Sequence, residues 1–210
     1  MRISIQKNSI VLAIFAIVCT AIVGIVNETT KGRIAQQHQL QLLNTLHSII
    51  APERLNNDIY HDCLTITNAE LGTLAPQTAY LARYNNQPVA AAITTIAPDG
   101  YNGNIELIVA LNVDDTISGV RVLDHQETPG LGDHIEERKS PWIFSFNNKK
   151  IPQENDSQWK VAKDGGMFDQ FTGATITPRA VVKAVKKTAR YFSQHKQELF
   201  SQTANCRGDS

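Results

Sequence analysis

The 210-residue chain is poor in cysteine (Cys 3) and in aromatics (7%), and its 20 Lys+Arg are cancelled by 20 Asp+Glu. Each shortage excludes a class. Three cysteines cannot staple a disulfide-rich scaffold, and they lack the clustered spacing that holds an iron–sulfur centre. Without a basic excess the chain has little to displace phosphate counterions, so no nucleic-acid partner is expected. Neither a Walker-type glycine loop nor a G-x-G-x-x-G fingerprint occurs, so a bound nicotinamide dinucleotide is not expected either. The histidines show no metal-site spacing and Asp114-Asp115 reads as a hairpin turn, so no metal is assigned. A hydrophobic content of 42% argues against disorder.

What is present is unevenly spread, which the mean hydropathy of -0.22 conceals. Ser9 to Val26 reads SIVLAIFAIVCTAIVGIV, without a charge. At about 1.5 Å per residue such a run just spans a hydrocarbon core of roughly 30 Å. Residues 9–26 are therefore expected to be a transmembrane anchor after a short cytoplasmic tail, 1–8. A cleaved signal has a shorter apolar region, of about 7–15 residues, and small residues at the cut, which Ile22-Val23-Gly24 does not supply. Val18 is too bulky before Cys19 for a lipoprotein signal. Arg2 and Lys7 face Lys31 and Arg33 across the span, so charge alone leaves orientation open; the short tail favours export of the bulk.

Residues 27–77 are expected to form a helical membrane-proximal region, on the spacing of Ile34, Leu42, Leu43, Leu46, Ile49 and Ile50 before Pro52. Strand patterns follow from about 78 to 125, broken at Asn85-Asn86 and Asp114-Asp115, and such short connections make antiparallel neighbours. A polar link around IPQENDSQ precedes the clearest helix, PRAVVKAVKKTARYFSQHK. Thr177 is its expected N-cap and Pro178 its first residue, with Val181, Val182, Val185, Ala189 and Phe192 on the apolar face. Lys183, Lys186, Lys187 and Arg190 make a solvated face. The fold class is thus α+β, an antiparallel meander sheet flanked by helices over 78–200, with one N-terminal transmembrane helix and a C-terminal tail, 201–210. Cys63 and Cys206 either pair in an oxidising compartment or are unrelated thiols. The tripeptide Arg207-Gly208-Asp209 is too short to be specific.

Two constellations stand out. Asp169 to Pro178 places the hydroxyls of Thr172, Thr175 and Thr177 and a glycine ahead of a helix start, where free amides favour an anion such as a phosphate. Plain helix capping explains the same residues. The second is His125-Gln126-Glu127-Thr128-Pro129-Gly130-Leu131-Gly132, whose glycines permit close approach to a flat ring. An ordinary turn at Pro129-Gly130 is the alternative. Tyr101 and Trp142 are ring-contact candidates that read more naturally as core.

The Asp-x-x-Thr-Gly-Ala-Thr pattern of Asp169 to Thr175 resembles the flavinylation motif of the covalent-FMN domain family shared by RnfG and NqrC subunits. The segments APDGYNGNIELIVALN and HQETPGLGDHIEER and the single amino-terminal span also resemble RnfG, in the same order, and NqrC subunits are usually longer. The resemblance implies FMN esterified through its phosphate to Thr175, in a core with Asp169, Thr172, Gly173 and Ala174. It also implies flavin contacts from Glu127, Thr128, Gly130 and Leu131. Thr172 stands where many members have serine, and keeps the hydroxyl. Maturation by a magnesium-dependent flavin transferase using FAD is implied, as are partner membrane subunits of an Rnf-type complex passing electrons between ferredoxin and NAD. The expected protein is an inner-membrane, single-pass electron carrier with its FMN domain in the periplasm, a subunit of a translocating oxidoreductase rather than a complete enzyme. Open alternatives are a flavin-free membrane-anchored binding or assembly protein, a reductase with noncovalent FMN, and an NqrC-like subunit of a sodium-pumping quinone reductase.

Overall fold

The computed structural model describes residues 2–150 and 157–206. The link at 151–156 and the tripeptide Arg207-Gly208-Asp209 lie outside the described residues. Contacts divide the chain into two units, 1–44 and 45–210.

The first unit belongs to helix α1, Arg2–Ile49. Neither proline nor a glycine pair interrupts it, so it runs unbroken through the expected 9–26 anchor. It is long and apolar enough to cross a membrane, and none of its most apolar window is buried within the protein. The hydroxyls of Thr20 and Thr30 donate to the carbonyls of Ala16 and Val26, each at 2.8 Å, which satisfies them without water. At about 1.5 Å per residue, 48 residues extend roughly 72 Å, over twice a hydrocarbon core of roughly 30 Å.

In the second unit five strands form one antiparallel meander: β1 (Cys63–Ile66), β2 (Gln77–Tyr84), β3 (Gln87–Ala97), β4 (Ile105–Asn112) and β5 (Ile117–Asp124). The β2–β3 turn is closed by Asn85 and Asn86, both at positive φ, the two-residue geometry that matches strand twist. Helix α2, Ile176–Ser201, lays Val181, Val185, Ala189 and Phe192 on one face of the sheet. Thr188 of that buried face donates to Thr95 of β3 at 2.9 Å, so neither hydroxyl is stranded in the core.

The helical expectation for 27–77 holds only as far as Ile49. Pro52 opens a 3-10 turn, and Cys63–Ile66 then joins the sheet as an edge strand. The last turn of α1 buries Leu46 and Ile49, Ile50 just beyond it is buried too, and the helix ends against β5. Ser118 donates its hydroxyl to the Ile49 carbonyl at 2.5 Å, and Arg121 reaches the Ser48 carbonyl at 3.3 Å. These side chains supply donors that helix C-termini lack. Gly119 between them leaves room for Ile49, whose Cγ2 would lie 3.0 Å from an added Cβ.

A disulfide joins Cys63 to Cys206, with Cα atoms 5.5 Å apart, and resolves the question the sequence left open. The tail also covers the β1 edge, since Asn205 and Cys206 donate their amides to the Cys63 carbonyl at 3.0 and 3.3 Å. Cys63→Ser is expected to cost about 2–5 kcal/mol of folding stability. Denaturant melts of the purified protein with and without reductant check this, and reductant should leave the variant unchanged.

Candidate functional site

Several segments converge beside the N-terminal end of α2. The first is the run after the aromatic cluster of Trp142, Phe146, Trp159, Phe168 and Phe171, in which Phe146 and Phe168 stack at 4.5 Å. The Trp142 ring meets Phe171 edge-on at 5.2 Å, and its indole N–H donates to the Asp169 carbonyl at 2.8 Å. Trp142 is therefore core, as its sequence context suggested, and it fixes the backbone leading to the threonines. A tight turn follows, with the Ala174 amide donating to the Phe171 carbonyl at 3.1 Å and Gly173 at φ 80°. That left-handed position suits glycine.

Thr175, not Thr177, is the N-cap residue, and it makes no side-chain capping bond. Thr177 lies inside the first turn, fully buried, and its hydroxyl donates to Oε2 of Glu127. The capping expectation failed because the helix begins at Ile176, which places Thr177 inside the first turn, where its hydroxyl donates to a carboxylate remote in sequence. Pro178, expected first in the helix, falls third, where a missing N–H is still harmless.

Glu127 is itself buried, 5% exposed. Its Oε1 accepts the Asn102 amide at 3.2 Å. His125 orders the backbone before it: Nδ1 accepts the Glu127 amide at 3.0 Å, which leaves the proton on Nε2 to donate to Glu136 at 2.9 Å. In the loop that follows, the amides of Leu131 and Gly132 both donate to the Thr128 carbonyl at 3.1 Å. The Gly130 amide bonds to Asp133 and, with help from Lys139, holds that carboxyl below its ordinary value of 3.8 against the opposing effect of burial. The amides of Leu131 and Gly132 are thus used within the loop, so at those positions it offers the site side chains and not free amides.

The convergence leaves a cleft of about 250 Å³ lined by Tyr101, Glu127, Thr128, Leu131, Gly132 and residues 173–177. Of the residues singled out from the sequence, Thr175, Gly173, Ala174, Glu127, Thr128 and Leu131 come together there. Asp169, Thr172 and Gly130 fall outside the lining and are exposed. Tyr101, read as core, is 64% exposed and forms a wall with Leu131 (42%) and Ile176 (45%). Gly132, whose close approach the sequence did suggest, also lines the cleft, whereas the sequence reasoning missed Ile176 and the inward role of Thr177. No local pattern pointed to either of these two. No group of His, Cys, Asp or Glu that could hold a metal occurs among the described residues.

The three threonines now differ. Thr177 is engaged, Thr172 is outside the cleft, and Thr175 lines it with no side-chain hydrogen bond among the described residues. Comparison with known proteins bears on this geometry. Residues 100–190 match the family model for an FMN-binding domain, and residues 1–49 match the one for the RnfG N-terminal region. A relative in Shewanella piezotolerans, named as the G component of an ion-translocating oxidoreductase complex, is 51% identical with 100% of both chains covered. Proteins of the same name from Shewanella oneidensis (53% identical, 95% of each chain) and Vibrio atlanticus (51% identical, 98% of this chain and 99% of the relative) agree. The chain belongs to the RnfG family. It carries the FMN-binding domain of that family, and the cleft falls within the matched 100–190 region.

The RnfG cleft is tightest at Gly132, where an added Cβ would come within 2.7 Å of Glu127 Oε2 and 2.8 Å of Thr177 Oγ1. Gly132→Ala is therefore expected to lower stability by about 1–3 kcal/mol through overpacking. Thermal melts check this against Gly103→Ala, where nothing lies within 4 Å of the added Cβ and the cost arises from a positive φ that Gly132 does not share.

Proposed function

We propose that this chain is a membrane-anchored electron-transfer subunit of an ion-translocating oxidoreductase complex and carries FMN as a phosphoester on Thr175. The observation that carries the reading is the state of Thr175: it is half-buried in the cleft wall, and its hydroxyl makes no hydrogen bond among the described residues. A hydroxyl spent on capping or core packing would not be available for attachment.

In the attachment step the Thr175 oxygen bonds to the FMN phosphorus of FAD, the pyrophosphate bond breaks, and AMP leaves. The hydroxyl proton passes to a base on the flavin transferase, since a threonine hydroxyl is a weak nucleophile on its own. Bound FMN supplies the electron-accepting ring, and the chain supplies position and electrostatics. Tyr101, Leu131 and Ile176 give the ring an apolar wall, and the Thr128 hydroxyl gives it a polar contact. Asp169, Thr172 and Gly130 act indirectly, by shaping the turns on either side. A cleft of about 250 Å³ is below the roughly 300–1,000 Å³ of pockets that enclose their ligands. The ring therefore keeps an open side through which a partner subunit can exchange electrons.

The α1 span supports a location in the bacterial inner membrane. The Cys63–Cys206 disulfide supports a periplasmic location for the FMN-binding domain, because disulfides persist in oxidising compartments. Partner membrane subunits, rather than a soluble substrate, are then its donors and acceptors, and the ferredoxin and NAD ends of the chain lie elsewhere in the complex.

Coexpression of the full chain with a flavin transferase tests the attachment. Intact mass should rise by one FMN less water, the mass should map to the peptide holding Thr175, and Thr175→Ala should abolish it while Thr172→Ala retains it. Flavin released entirely on acid precipitation would overturn the covalent reading in favour of a noncovalent reductase. Independently, a reporter fused after Ser210 should be active on the periplasmic side, and activity confined to the cytoplasm would reject the topology.

A further inference from the structure

Two carboxylates are buried among the described residues, and they are treated differently. Asp133 has the Lys139 ammonium at 3.5 Å, whereas Glu127 forms no ion pair among the described residues. Its two partners are a peptide amide and a hydroxyl, each donating to one oxygen, an arrangement that the ionised carboxylate completes. The backbone packs tightly around it: a Cβ on Gly100 would lie 2.8 Å from Oε1, and one on Gly132 would lie 2.7 Å from Oε2. With both oxygens turned to Asn102 and Thr177 and both flanks closed, Glu127 lines the cleft as a fixed charge.

Such a charge is weakly screened, because little water reaches it and the effective dielectric is low. Each electron that a flavin in this cleft accepts from its donor adds negative charge there until a proton follows from solvent. Resting on the flavin reading above, we infer that Glu127 lowers the reduction potential of the cofactor as a positioned negative charge, and does not serve as a hydrogen-bond partner of the ring. The Thr177 hydroxyl offsets part of that charge, so the two side chains set the potential in opposite directions. Fixing the carboxylate against Asn102 and α2 keeps the charge at one distance from the cofactor, which a mobile surface glutamate would not do.

Redox titration of the full-length flavinylated protein, followed by visible absorbance, tests the inference. Glu127→Gln keeps the shape and removes the charge, and should move the midpoint potential to a more positive value. Thr177→Val keeps the shape and the charge but removes the donor, and should move it to a more negative one. Glu127→Asp, which retains the charge, should stay on the wild-type side of Glu127→Gln. An unshifted or more negative potential in Glu127→Gln overturns the inference. So does a positive shift, or none, in Thr177→Val, which decides alone if the Gln variant does not fold. Intact mass of the wild-type protein is read first. Absence of covalent flavin there defeats the attachment reading, whereas flavin present with unmoved potentials defeats only the role of Glu127.

Discussion

A carboxylate taken out of water must find donors, and Glu127 finds its two in the Asn102 amide and the Thr177 hydroxyl. The cleft depends on that pairing. Asn102 belongs to the β3–β4 connection that carries Tyr101, Glu127 to the loop that carries Thr128 and Leu131, and Thr177 to the first turn of the helix that begins beside Thr175. Removing either donor would leave a buried charge under-satisfied, which is far costlier than losing an ordinary hydrogen bond. The constraint also explains Gly132, whose backbone comes closer to the carboxylate than a side chain would permit, and it adds to the case at Gly100, where the Gly103 carbonyl crowds an added Cβ more closely still.

The scaffold beneath is stiffened at both sheet edges. On the β1 side the disulfide and the Asn205 and Cys206 amides close the edge. On the β5 side the Asn148 amide donates to the Ile117 carbonyl at 2.8 Å and the Ile117 amide to that of Lys149 at 2.8 Å. Closed edges resist pairing with other chains, which matters for a subunit crowded among partners. Arg121 sits at the centre of the β5 side: its guanidinium lies 4.8 Å from the Phe144 ring, its Nε 2.7 Å from Glu137, and its Nη2 serves the end of α1. Cleft loops carried on such a sheet inherit its rigidity.

Much of this fold was legible in the sequence, and the reason differs by element. The Asn85-Asn86 and Asp114-Asp115 breaks located two hairpins because their chemistry is local: Asp114 accepts both the amide and the hydroxyl of Thr116, at 3.1 and 2.6 Å. The apolar spacing of Val181, Val185 and Ala189 located α2 for the same reason. Thr177 misled because its partner is 50 residues away in sequence, and no local pattern distinguishes a capping threonine from one recruited by a distant carboxylate. The strand at Cys63–Ile66 was missed because four residues carry too little periodicity; it is a strand by virtue of pairing with β2. Tyr101 was misread because aromatics are usually buried, and only the tertiary arrangement turns this one to the cleft. In the site, the sequence pattern singled out Thr175 by resemblance, whereas its physical distinction from Thr172 and Thr177 exists only in three dimensions.

The formal charge of zero acquires a meaning once the cleft and the anchor are considered together. A soluble carrier meets its partners by diffusion, and strong complementary charge then raises the encounter rate. A carrier tethered in the same membrane as its partners has no such need, because the tether converts encounter into an intramolecular step with a high effective concentration. Charge is then free to act locally. On the proposed reading the local charge that matters is Glu127, buried in the cleft lining and not on the rim, while the rim residues Tyr101, Leu131 and Ile176 are exposed. An uncharged rim and a buried charge separate two tasks: the rim admits a partner without a charge-pairing requirement, and the buried carboxylate fixes the energy at which an electron is held. Such a division suits a subunit that must pass electrons on promptly and never meets its partners by diffusion.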